Sequence, residues 1–288
     1  DNPLGFKGHE LFVPDRASGR LVETPGQIMS TIDNYLGNGN VVVNNTLVTG
    51  YDFLTDSGVK INSVLGDLGA NSSTLLSQEW TAGNLVSSWP SAAVKPDLVS
   101  VNAHFEQWLA LPADPTASSE NPLDLFYNTD ILAGDVSNQV AYSMGCHAGL
   151  SVFDEFVNTP GNTASKPDFA QVMAEKGAAA WIANTGYGYG MDDAATHSEQ
   201  LYLNLTQQLG TEENKPLGKA LVEAKQRYLG NAAAAGFGSY DEKILIEATL
   251  YGLPMTTVDL PAAPQTVPIN PDIDDSPTAQ GYLFTLSP

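Results

Sequence analysis

Short apolar runs alternate with helical periods along this chain, and that alternation restricts its fold more than any other feature. Residues 41–54, 96–105, 139–146, 178–187 and 247–258 are partly β-branched or aromatic and are bounded by Gly, Asn, Asp or Pro, the pattern of buried strands. Between them, Leu217, Leu221, Ala224 and Tyr228 share one helical face behind Pro216, with Gly230 as the expected stop. Tyr202, Leu205 and Leu209 repeat similarly before Gly210, and Thr24-Pro25 opens a capped helix through Ile28, Ile32 and Leu36 to Gly37. Strands alternating with helices predict an α/β fold in three layers, a mostly parallel sheet with helices on both faces.

At 288 residues and 42% hydrophobic, the chain has ample material for a large core. Acidic residues outnumber basic ones 33 to 12, a formal charge of −21, which repels phosphate backbones and anionic lipid. Nucleic acid is therefore not an expected partner. Membrane insertion is not expected either, because no apolar stretch approaches the roughly 20 residues that span a bilayer. The acid excess suits an extracellular surface, so a secreted or cell-surface setting is expected. The opening residues Asp1-Asn2-Pro3-Leu4-Gly5 carry no signal-peptide pattern, so any targeting segment is expected to lie outside this chain. Residues 111–130 are rich in Pro, Ser and Asp and read as a surface excursion. The proline-rich stretch 261–277 reads as a linker, ahead of a lone strand at residues 281–286.

In open parallel sheets, functional groups collect where loops leave the carboxyl ends of strands. One predicted strand delivers His104 to such an end, and another delivers the single cysteine, Cys146. If those strands are neighbours, thiol and imidazole emerge together, and the imidazole can take the proton that makes the thiol a nucleophile. Gly145 allows a substrate carbonyl close approach, and the Cys146 amide then points where an oxyanion forms. Against this, most free cysteines are small buried hydrophobes, and a strand-end histidine is often structural. His147 should point elsewhere if the chain enters a helix after Cys146, and His9 and His197 have no evident partners. A lone cysteine and the absence of His-x-x-x-His spacing leave no metal site or other cofactor expected.

These strand ends resemble the caspase-fold cysteine peptidases, specifically the gingipain-like family, in which a histidine follows one apolar strand and the nucleophilic cysteine the next. The similarity extends to Ser18-Gly19-Arg20-Leu21 with its following helix, to Val48-Thr49-Gly50-Tyr51-Asp52, to residues 177–186 and 217–228, and to the closing Leu250-Tyr251-Gly252-Leu253-Pro254. It implies a three-layer caspase-like fold and a cysteine endopeptidase acting on peptide or protein substrates. It also implies a catalytic domain over residues 1–258, with residues 1–40 as a lead-in and 41–258 as the core; the composition of the tail at 259–288 leaves two expectations, that its lone strand begins a further domain or that it adds an edge strand. Phe105 stands where the family has a glycine beside the oxyanion, and its amide can still donate. Asp52, with Asp56 as the fallback, is the expected carboxylate that orients His104. Relatives that cleave after Arg or Lys place an acid at the base of the pocket for the P1 side chain, the residue before the scissile bond. Here Tyr187, Asp192 and Asp193 sit in a glycine-rich loop suited to that role. The competing reading makes the two aspartates the acidic first turn of the helix that ends at Leu209.

Two other readings stay open at the sequence level. Ala141-Tyr142-Ser143-Met144-Gly145 fits a nucleophile elbow, which would make the chain an α/β-hydrolase-type serine esterase using Ser143. Alternatively, a caspase-like fold can bind peptides without catalysing anything.

Overall fold

The computed structural model describes residues 13–116, 123–153, 167–192 and 194–261. Its first half runs α1 (Pro25–Asn38), β1 (Asn40–Val42), β2 (Asn45–Gly50), α2 (Thr55–Asp67), β3 (Asn71–Leu76), α3 (Ala82–Ser88), β4 (Leu98–Ser100), β5 (His104–Glu106), β6 (Leu109–Leu111), β7 (Phe126–Tyr127) and α4 (Asn128–Ala133). It continues with β8 (Val140–Ser143), α5 (Phe169–Glu175), β9 (Ala180–Asn184), α6 (His197–Leu209), β10 (Lys215–Pro216), α7 (Leu217–Ala235), α8 (Ser239–Glu247), β11 (Ala248–Gly252) and β12 (Thr257–Asp259).

A six-stranded sheet in the order β11-β9-β8-β4-β2-β3 forms the middle layer. All neighbours are parallel except β11, which runs antiparallel to β9. Strand alternation divides the side chains between two cores. Leu47, Val99, Ala141 and Trp181 pack on one side with Leu85, Trp89, Phe169 and Val172. Val48, Leu98, Tyr142 and Ile182 pack on the other with Ile61, Leu65, Leu205 and Leu221. Each such fully buried aliphatic side chain contributes about 1.5–3 kcal/mol, so the three layers follow directly from the two-sided apolar strands.

Several boundaries differ from the expectations. The run 41–54 forms two strands, because the Asp97 carboxylate takes the amides of Asn44 and Asn45, both at 2.9 Å, and turns the chain between sheets. The run 247–258 likewise splits, with Gly252 at φ 135° ahead of Pro254; β12 then joins a small sheet between β1 and β10. The helix expected to stop at Gly230 continues to Ala235 and ends at Gly236, φ 110°. Burial of Tyr228 and Leu229 outweighs the ~1 kcal/mol cost of an internal glycine. The excursion 111–130 is partly core: Phe126 is fully buried and stacks on Trp89 and Phe169 at 5.7 and 6.4 Å. Residues 262–288, including the expected linker and lone strand, lie outside the described residues.

Candidate active site

Strands β4 and β8 are adjacent and parallel, with Ser100 opposite Tyr142, so their carboxyl ends open at one edge. Buried Asn102 fixes that edge. Its side-chain amide donates to the Thr49 carbonyl at 3.0 Å and to Ser100 Oγ at 2.8 Å, while its own carbonyl oxygen accepts from the Met144 amide at 3.4 Å. The segments carrying His104 and Cys146 touch: a Cβ on Gly145 would lie 2.5 Å from the Phe105 ring and 2.7 Å from the Ala103 carbonyl. Only glycine permits that approach. The Phe105 side chain is buried there and packs edge-on against Phe169 at 5.3 Å.

His104 is held from several sides. Its amide donates to the Tyr51 hydroxyl at 3.3 Å, which in turn donates to the Leu111 carbonyl at 2.8 Å. The rings of Tyr51 and Phe53 meet the imidazole edge-on at 5.5 and 5.7 Å. Asp52 Oδ2 stands 3.8 Å from His104 Nε2, an ion-pair separation longer than a direct hydrogen bond. Asp52 adopts φ 54°, a left-handed conformation that Asp tolerates better than most residues, and its amide donates to Gln78 Oε1 at 3.2 Å. Asp56 turns instead toward Lys60, at 3.2 Å.

The Cys146 thiol is partly buried and donates to the Gly188 carbonyl at 3.6 Å. Burial pushes its pKa up, and the charges of Glu106 and Glu247 add to this against the Gly188 hydrogen bond. Glu106 follows His104 by two positions on β5 and therefore shares its face. It lies 3.7 Å from His147 Nδ1. His147 does not enter a helix: it turns at φ 54°, donates its amide to the Gly186 carbonyl at 2.6 Å, and packs on the Tyr187 ring at 4.6 Å. Burial also lifts Glu247, lodged against Gly186, to about 7.

The structure thus gathers Cys146, Gly145, His104, Phe105, Asp52 and Tyr187 at one sheet edge. Asp192 is exposed in the loop before α6, whose N-cap is Thr196 and whose first turn carries Glu199. The expectation that Asp192 belongs to the helix's first turn is therefore corrected, because the capping residue lies further along the chain. Asp193 is outside the described residues. Ser143 is fully buried, and its Oγ accepts from the Gly145 amide at 3.1 Å. A turn follows β8 where an elbow needs a helix. His197, partnerless in the sequence reading, lies 3.7 Å from Asp241, and His9 is outside the described residues. Tyr51, Glu106, Glu199 and Glu247 went unnoticed in the sequence, because each reaches the site through contacts between distant segments. Among the described residues, no group of three or more His, Cys, Asp or Glu is placed to hold a metal ion, and no helix is long and apolar enough to cross a membrane.

Residues 113–259, just over half of the chain, match the model of peptidase family C25. The fold is similar to that of the pro- and mature domains of Porphyromonas gingivalis RgpB, with a TM-score of 0.59 and 14% identity over 87% of this chain and 59% of that one. Against the Arg-specific cysteine proteinase gingipain R, the TM-score is 0.58 and the identity 15%, over 86% of this chain and 56% of that one. The chain thus spans under two thirds of the length of these structures. Separase from the Saccharomyces cerevisiae separase–securin complex matches at a TM-score of 0.51 and 10% identity, over 81% of this chain and 13% of that one. These likenesses give the fold as caspase-like. No curated protein sequence matches the chain.

Proposed function

The chain belongs to peptidase family C25, and we propose that it is a cysteine endopeptidase in which Cys146 is the nucleophile and His104 carries the proton. The observation that supports this reading is the contact of Gly145 with Ala103 and Phe105, at the ends of the neighbouring parallel strands β8 and β4, because these segments carry the thiol and the imidazole. In the resting protein the thiol keeps its proton. On substrate binding that proton passes to His104, the sulfur attacks the scissile carbonyl, and the amides of Cys146 and Phe105 receive the oxyanion. His104 then gives the proton to the leaving amine, and water hydrolyses the thioester.

A preference for Arg or Lys at P1 is part of the proposal. Asp52 and Glu106 lie beside the imidazole and the thiol, and Asp192 extends the acidic rim. This field favours a cationic side chain, with the exposed Tyr187 ring covering its aliphatic stem. The relative described as Arg-specific points the same way. A secreted or cell-surface setting accords with the acidic composition; recovery of the native protein from the cytosol alone would contradict it.

The decisive experiment combines a P1 fluorogenic peptide library with a peptidyl electrophile and mass mapping of the labelled residue. Labelling at Cys146 and cleavage after Arg or Lys are expected. Turnover that survives Cys146→Ala would overturn the mechanism, and a profile led by acidic or small apolar P1 residues would overturn the specificity.

A further inference from the structure

The loop beside the thiol leaves β9, passes Gly186–Met191 and re-enters the fold at Thr196. Ser198 fastens the loop at Tyr189, donating its amide to the Tyr189 carbonyl at 3.0 Å and accepting the Tyr189 amide through Oγ at 3.1 Å, and Glu199 fastens the return beyond it. Glu199 is fully buried, and its Oε2 accepts from the amides of Met191 at 3.1 Å and Thr196 at 3.2 Å. Gly190 rests directly on this carboxyl: a Cβ there would lie 2.6 Å from its carbon and 2.8 Å from the Phe53 ring. Phe53 is the ring that also packs against His104, so loop, brace and imidazole are in one packed unit.

The other carboxyl oxygen, Oε1, is buried and meets no well-aligned donor among the described residues; the nearby Ser57 hydroxyl, which favours the charged carboxylate, is directed at the Leu54 carbonyl at 3.0 Å and Met144 Sδ at 3.6 Å. Asp56, in the first turn of α2, is close enough for its charge to oppose ionisation of Glu199, and its buried Oδ1 is equally unpartnered among the described residues. Two neighbouring acids, each with one orphan oxygen, are satisfied together by a single proton shared between them. Burial above all, with the Asp56 charge adding to it, pushes the Glu199 carboxyl up to about 7, consistent with that proton being held near neutrality. The other charged or titratable groups around the pair are Lys60, already engaged with Asp56 Oδ2 at 3.2 Å, the His104–Asp52 pair beyond Phe53, and His197 with Asp241 at the start of α6.

We propose that Glu199 is a positioning residue for the substrate loop: in its protonated form it donates from Oε1 to Asp56 Oδ1 while Oε2 holds the Met191 and Thr196 amides, and loss of the proton loosens the loop. The inference rests on the peptidase reading only for its kinetic readout. With both acids charged, like charges face each other with Glu199 cut off from water, and movement of the loop that accepts the thiol hydrogen through Gly188 relieves them.

Glu199→Gln separates the two states, since a glutamine accepts through its oxygen and donates through its amide at every pH. At about pH 8.5, E199Q should show a KM at least about threefold below wild type for the preferred peptide, whereas Glu199→Ala should raise KM about threefold or more at both pH 6 and pH 8.5. Hydrogen exchange needs no activity and tests the brace independently. In wild type, protection of the Met191 and Thr196 amides should fall about tenfold between pH 6 and pH 8.5 after correction for intrinsic rates, and in E199Q it should hold. Equal pH dependence of protection in the two proteins, or a wild-type loop equally protected at both pH values, overturns the proposal even if the chain proves to have no peptidase activity. Absence of turnover with the exchange result intact overturns the peptidase reading alone.

Discussion

The thiol of Cys146 donates to the main-chain carbonyl of Gly188 at 3.6 Å, which ties the nucleophile to the loop that would flank its substrate. A protonated, partly buried thiol is a poor nucleophile, so transfer of its proton to His104 becomes an obligatory step of the proposed mechanism. Cys146→Ala should therefore abolish peptide hydrolysis with the fold unchanged by circular dichroism. His104→Ala should lower kcat/KM at least about 10²-fold, the lower end for a positioned proton-transfer group. Steady-state kinetics check both, and an unchanged rate in H104A removes the imidazole from the mechanism.

Glu106 raises the thiol pKa through its negative charge. Removing that charge stabilises the thiolate, so Glu106→Gln should lower the pKa of Cys146 and quicken its alkylation by iodoacetamide about two- to fivefold at pH 7. The rate of alkylation against pH gives the answer directly. A slower reaction, or a curve superimposed on wild type, contradicts the assigned electrostatics.

Tyr51 bridges the His104 amide and the Leu111 carbonyl through its hydroxyl. Tyr51→Phe keeps the ring that packs on the imidazole but strands both backbone groups, at a cost of about 1–3 kcal/mol. Urea unfolding should show that loss, and kcat should drop by roughly tenfold, with KM less affected, as expected when a proton carrier is misplaced rather than a subsite removed. Full activity in Y51F would mean that β5 positions His104 without the bridge.

How much of this was legible in the sequence depends on the range of the interactions involved. Strands β4 and β8, which lead to His104 and Cys146, are readable because both are buried on two faces and so are largely apolar. Their adjacency was only a conditional expectation. Strand β3, with the sequence NSSTLL, pairs fully with β2 yet shows no apolar alternation, since as an edge strand much of its surface faces solvent. Nothing in the sequence distinguishes Glu199 from any other helical carboxylate. Only the return of the loop over it, with Gly190 pressed against its carboxyl, converts a surface-type residue into a buried brace. Asp52 was singled out from its strand-end position, but the 3.8 Å gap to His104 depends on a left-handed turn that a single sequence does not announce.

Asp168 shows how the same physics reaches past the active site to stability. This buried N-cap of α5 accepts from the amides of Val152 and Gln171 at 3.0 and 2.9 Å, yet burial still pushes its carboxyl up to about 6. Glu199 and Glu247 stand at about 7, with burial again the leading cause. In each case the folded pKa lies above the unfolded one, so the folded chain binds more protons than the unfolded chain between about pH 4 and pH 7. Stability is then fullest below the unfolded values and is lost as pH rises through 6 and 7. Lys225 has the opposite sign of dependence. Burial lowers it to about 8, so the unfolded chain is the better proton binder above that pH and stability recovers toward the ordinary lysine value. The expected curve falls from pH 5 to a trough near pH 7.5–8 and rises modestly beyond it, with Tm lower at the trough than at pH 5 by roughly 5 °C or more. Thermal unfolding across pH 5–10 tests this, and Glu199→Gln should flatten the descending limb. A Tm that climbs steadily from pH 5 to pH 8 would falsify the view that these three carboxyls are held in protonated form by the fold.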